Sequence, residues 1–142
     1  MEVIQALILV ISLEVGVPPE FVMAIALTEN SSLNPTATST NVDGSVDRGI
    51  MQLSSRYFHL EDWADPVENI RIACEHIYWL AEQLYYCTWF SVAIAYNAGL
   101  SRVWDPPWSS VEYANEVMRK MYEFSGEGMY FNPLVNSYLT FR

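Results

Sequence analysis

Positive charge is scarce in this chain. Seven Lys and Arg stand against 17 Asp and Glu, a net charge of −10, and no basic residue occurs before Arg48. That balance excludes nucleic acid as a partner, because phosphates are neutralised by Lys and Arg. The start, Met1-Glu2, lacks the positive charge and small-residue cleavage site of a signal peptide. Long hydrophobic runs are missing too. The stretch Ala6 to Ile11 is stopped by Glu14, well short of the roughly 20 apolar residues of a membrane span. A buried first helix is the expectation, with no transmembrane segment. Cysteine is scarce: Cys74 falls inside an expected helix and Cys87 just past its end. Thirteen residues of helical rise put them about 20 Å apart, too far for a disulfide. Buried, idle thiols are expected.

At 142 residues, half of them hydrophobic, the chain can fill the core of one domain, spanning 1–142. Five helices can be placed, and no strand pattern is convincing. The first covers Val3 to Glu14 and ends at Gly16. The second opens at Pro18-Pro19, where a missing N–H is harmless, and runs to Thr28 or Glu29. Asn30 to Asp47, rich in Ser, Thr, Asn, Pro and Gly, reads as a long loop, and a loop of that length inside a compact domain is usually functional. Asp65-Pro66-Val67-Glu68 reads as a capping box. Behind it Ile70, Ala73, Cys74, Ile77, Ala81 and Leu84 recur at helical spacing to about Tyr85. A shorter apolar helix spans Trp89 to Ala98 and stops at Gly99. Asp105-Pro106-Pro107 makes a rigid loop, and Ser109-Ser110-Val111-Glu112 reads as the box opening a last helix to about Phe124. A Tyr- and Phe-rich extension, 125–142, follows.

Four short strings carry the chemistry. Glu29 ends the apolar run Ala24-Ile25-Ala26-Leu27-Thr28. Then come Gly49-Ile50-Met51-Gln52, Ala95-Tyr96-Asn97-Ala98-Gly99 and Tyr113-Ala114-Asn115-Glu116-Val117. An isolated Glu at a helix end is ordinarily a solvated side chain. In this order and spacing, from about Val15 to Met121, the strings resemble the catalytic domain of soluble lytic transglycosylases, the goose-lysozyme-like enzymes that cleave peptidoglycan. The flanks Asn41 to Arg48 and Leu53 to Tyr57 resemble the small specialised members that serve secretion and conjugation machines.

The resemblance implies an all-α, lysozyme-like domain with a substrate groove, its core about 15–124. It identifies Glu29 with the catalytic acid. Such an acid must remain protonated near neutral pH, which apolar surroundings achieve. Ile25 lies one turn below Glu29, and a helix C-terminus disfavours an anion. Met51 and Gln52 would line the groove, the Gln52 amide binding an N-acetyl group, while Tyr96 and Asn97 would face the acid and the sugar. Tyr113 matches the fourth motif. The family's Glu-Ser pair is here Glu29-Asn30 and its Asn-Pro step, Asn34-Pro35, comes one residue late. Allowing for that insertion, Ser39 falls where the family has a serine hydrogen-bonded near the acid. Trp104 and Trp108 are candidates for stacking on sugars, and equally for packing. His59 and His76 are isolated and read as structural.

The implied reaction is cleavage of the MurNAc–GlcNAc bond with formation of 1,6-anhydro ends, on peptidoglycan glycan strands, without cofactor. Two alternatives stand beside it. A hydrolytic muramidase would use Asp43 or Asp47 to activate water, and a non-catalytic module would only bind glycan. A calcium loop is rejected: aligning Gly44 with the invariant glycine of an EF-hand puts Ile50 where a bidentate Glu is required, so no metal is expected. The implied location is the periplasm or cell envelope, with an export signal outside this segment. A secretion or envelope machine is the implied partner, since an acidic domain gains little from electrostatic attraction to an anionic wall.

Overall fold

A computed structural model describes residues 2–126; the Tyr- and Phe-rich extension beyond lies outside the described residues. The elements are α1 (Glu2–Val15), α2 (Pro19–Glu29), β1 (Thr38–Thr40), β2 (Val46–Arg48), β3 (Leu53–Ser54), α3 (Pro66–Gln83), α4 (Trp89–Ala98), a 3-10 turn (Leu100–Arg102) and α5 (Trp108–Gly126).

Helix α2 is the axis of the fold. Phe21 to Ala26 are six consecutive apolar residues with essentially no exposure, which a helix achieves only when neighbours cover it all round. It is packed by α1 and α5; α1 also lies on α3, and α4 joins α3 to α5. The first helix departs from expectation. It buries Ile8, Ile11 and Ser12, while Val3, Val10 and Leu13 are exposed, so it is a surface helix with apolar residues on its outer side. Among the described residues no helix is long and apolar enough to cross a membrane.

Helix ends follow local chemistry. Gly16, at φ +96°, stops α1 in a conformation that side chains disfavour. Asp65 caps α3 by accepting from the Val67 N–H at 3.0 Å. Thr88 and Ser91 form a reciprocal capping box on α4. At α5 the expected box is not used: the helix begins at Trp108, and the Pro107 carbonyl accepts from the Ser110 and Val111 N–H groups. The Ser110 hydroxyl turns to Asn97.

The segment Asn30 to Asp47, read as loop, contains β1 and most of β2, which join β3 beyond it in a small antiparallel sheet of order β1-β2-β3. Thr38, Ser39 and Thr40 pair with Arg48, Asp47 and Val46, and Asp47 and Arg48 pair with Ser54 and Leu53. Strands of two or three residues, mostly polar, carry no readable alternation. Both cysteines are buried.

Candidate active site

Glu29 is the last residue of α2, and the next residue fixes its direction. The Asn30 N–H still donates to the Ala26 carbonyl at 2.8 Å, closing the helix. Its side chain then organises the descending loop: Nδ2 donates to the carbonyls of Asn34 (2.9 Å) and Gly49 (3.3 Å), and Oδ1 accepts from the Asn34 N–H (3.2 Å). Asn30 thus binds the helix end to the turn that carries Met51 and Gln52.

That turn is clamped from two further sides. Gly49 has φ +80°, and a Cβ there would lie 2.3 Å from Asn69 Nδ2 and 2.8 Å from the Trp63 carbonyl. Only glycine lets the backbone approach so closely. Asn69, fully buried on α3, accepts from the Met51 N–H at 2.8 Å and donates to the carbonyls of Arg48 and Trp63, both at 3.1 Å. The Tyr96 hydroxyl, from α4, donates to the Met51 carbonyl at 2.7 Å. Both backbone groups of Met51 are therefore held by side chains from two helices, and its own side chain is completely buried. Gln52 sits at φ +51°, and its Nε2 donates to the carbonyls of Gly49 (2.9 Å) and Ala37 (3.1 Å). The side-chain oxygen is what it has left to offer.

Above this turn lies a cavity of roughly 390 Å³, lined among others by Glu29, Asp47, Gln52, His76, Tyr96 and Asn97. Burial pushes the Glu29 carboxyl up to about 8, and the negative charge of Asp47 adds to the effect. At neutral pH it is largely the protonated acid, a proton donor. Burial, then the charge of Glu29, raises Tyr96 and Tyr113 well above the usual phenol range, so both hydroxyls stay protonated. The Tyr113 hydroxyl is buried with no hydrogen-bond partner among the described residues. Asn97 Oδ1 accepts from the Ser110 hydroxyl at 2.7 Å, which locks α4 to α5 at the rim.

The four sequence strings thus converge in part. Glu29, Gln52, Tyr96 and Asn97 share the cavity wall. Tyr113 feels the same charge from behind it. Met51 contributes backbone rather than a lining side chain. Ser39 stands on the exposed β1, opposite Asp47, and is not among the lining residues. Trp104 and Trp108 are exposed and do not line the cavity. Asn30 and Asn69, which help to hold the turn, belong to none of the four strings. An Asn at a core-facing position of an apolar helix was the available signal for Asn69. His76, read as structural, also lines the cavity. Among the described residues no group of three or more His, Cys, Asp or Glu is arranged to hold a metal ion.

The helical frame, with a raised carboxyl at the end of its central helix and facing a polar cleft, has the architecture of a lysozyme-like domain. The family model described as the Transglycosylase SLT domain matches residues 7–116, and the chain belongs to that family. Its backbone is similar to that of lytic transglycosylase Slt from Pseudomonas aeruginosa, solved as an inactive Glu-to-Gln mutant, with a TM-score of 0.71 and 19% identity. The match covers 92% of this chain and 25% of that one, so this chain spans about a quarter of its length. No curated protein sequence matches this chain.

Proposed function

We propose that this domain is a peptidoglycan lytic transglycosylase that cleaves the MurNAc–GlcNAc β-1,4 bond, with Glu29 as its acid and then its base. The protonated Glu29 gives its proton to the glycosidic oxygen as the bond to the MurNAc C1 breaks. The resulting carboxylate takes the proton of the same sugar's 6-hydroxyl, whose oxygen closes on C1 to form the 1,6-anhydro ring. No water is consumed, so no second carboxylate is required. Gln52 offers its side-chain oxygen to an N-acetyl N–H, Asn97 marks the rim, and Tyr113 has a hydroxyl available to steady the carboxylate. Ser39, on an exposed strand, has the weakest claim to a role.

The observation that carries this reading is the placement of Glu29 at the end of α2 and in the wall of the cleft, where burial raises its carboxyl. The workplace would be the periplasm or cell envelope. Delivery by a secretion or envelope machine suits a domain whose charge of −10 gives it no attraction to an anionic wall.

A second reading has one observation in its favour. Asp47 lies in the same cavity and close enough to raise Glu29, so it is positioned to act on water, as a hydrolytic muramidase requires. Mass spectrometry of muropeptides released from purified sacculi separates the two. Anhydro products support the transglycosylase; products heavier by one water replace it with the muramidase. Glu29→Gln should keep the fold and lose about 100- to 10,000-fold in turnover. Undiminished turnover in that variant would remove Glu29 from the mechanism. Asp43→Asn and Asp47→Asn should each still yield anhydro ends.

A further inference from the structure

Helix α3 brings an aromatic group to the cleft that the reaction above does not use. His76 lines the cavity and is half-buried. Its imidazole meets the Phe58 ring edge-on at 5.1 Å and the Tyr96 ring at 6.0 Å, tilted by 53°. One helical turn further along α3, the indole of Trp79 lies nearly parallel to it, at 5.9 Å and 19°. Trp79 is 47% exposed. The imidazole makes ring contacts and no hydrogen bond among the described contacts, and burial lowers its basicity. The result is a neutral polar ring wedged among three others, with an open indole continuing the same surface outward.

Such a surface has a natural occupant. A pyranose presents a C–H face that packs on an aromatic ring and hydroxyl or acetamido groups that need hydrogen bonds. Sites for polar ligands combine apolar walls with a few placed polar groups. Two features tie this surface to the glycan. It is continuous with the cavity of Glu29 through His76 and Tyr96, and it is uncharged in a protein whose other cavity-lining groups include Asp43 and Asp47.

We propose that His76 and Trp79 form a ledge that holds a sugar ring of the glycan strand beside the cleavage point, Trp79 by stacking and His76 by a hydrogen bond from its imidazole. This specifies a binding subsite and rests on the glycan reading of the cleft. The ledge makes recognition depend on strand length: an oligomer too short to reach it binds through the cavity alone.

The test uses Glu29→Gln protein, so that binding is measured without turnover. Peptide-free N-acetylglucosamine oligomers of increasing length are titrated by calorimetry. Adding Trp79→Ala should weaken long oligomers by roughly 2- to 12-fold, the range of aromatic contacts, and the deficit should appear only above a threshold length. Trp79→Tyr should restore most of the affinity. His76→Phe, which keeps a ring against Trp79, should lose several-fold through the missing hydrogen bond. Equal affinities of the Trp79→Ala and parent proteins at every length would overturn the ledge. So would a deficit independent of length, which marks a structural role. Failure of the ledge and of the proposed reaction are distinguishable. Sacculi cleaved by wild type with no Trp79 effect reject the ledge alone. A length-dependent Trp79 effect with no cleavage rejects the reaction alone. No binding by any variant rejects both.

Discussion

Glu29→Gln should make the protein more stable, and by an amount that depends on pH. The Glu29 carboxyl is raised from 4.5 to about 8 by burial and by Asp47, so between those values the folded state holds a proton that the unfolded state has released. A group that binds protons more tightly when folded stabilises fully below its unfolded pKa, and that contribution is lost as pH rises toward the folded one. Each pH unit in the window is worth about 1.4 kcal/mol, which caps the loss near about 5 kcal/mol. The carboxyl faces an open cleft, so screening by water reduces the expected loss to roughly 2–3 kcal/mol. Glutamine keeps the shape and has no proton to lose. Urea unfolding of both proteins from pH 5 to pH 9 provides the assay. The mutant-minus-wild-type difference should grow steadily from pH 5 to pH 8 and then level off. Because Glu20 and His76, also shifted by burial, are present in both proteins, their titration cancels in that difference. A difference that is flat across the range would refute the claim that this carboxyl is buried in its protonated form.

Gly49→Ala should destabilise by roughly 2–4 kcal/mol, since the new Cβ combines an unfavourable backbone conformation with overlap on Asn69 and the Trp63 carbonyl; thermal unfolding indistinguishable from wild type would show that the clamp yields. Tyr96→Phe should lower stability by about 1 kcal/mol, the ordinary value of its hydrogen bond to the Met51 carbonyl. Its turnover should fall less than that of Glu29→Gln, and a variant as inactive as Glu29→Gln would give the Tyr96 hydroxyl a direct part in the reaction.

Helices were the legible part of this chain. The bounds of α4 follow from an apolar run and Gly99, and those of α2 from Pro19 and the break at Asn30, because helix periodicity and caps are local signals. The sheet was not legible. Its register is set by the Gly49 turn and by Ser55, whose hydroxyl accepts from the Val46 N–H at 2.9 Å, rather than by any alternation in the strands. The same divide runs through the site. Glu29, Gln52, Tyr96 and Asn97 could be picked out by motif and do share one cavity. Yet the backbone of Met51 is held by Asn69 from 18 residues away and Tyr96 from 45. No local pattern reports a carbonyl's distant partner. His76 likewise reads as an ordinary helix residue, because Phe58 and Tyr96 meet it only in the fold.

The tie between the Tyr96 hydroxyl and the Met51 carbonyl also has a consequence in time. Contacts that span so many residues form late, after the entropy of closing the intervening chain has been met. Until α4 and α5 dock, Glu29 is a solvated side chain that ionises near 4.5 like any other and has no proton to give at neutral pH. The segment that carries Glu29 therefore lacks a raised carboxyl until the later helices pack against it. The raised carboxyl is thus a property of the completed fold, not of the helix that bears it.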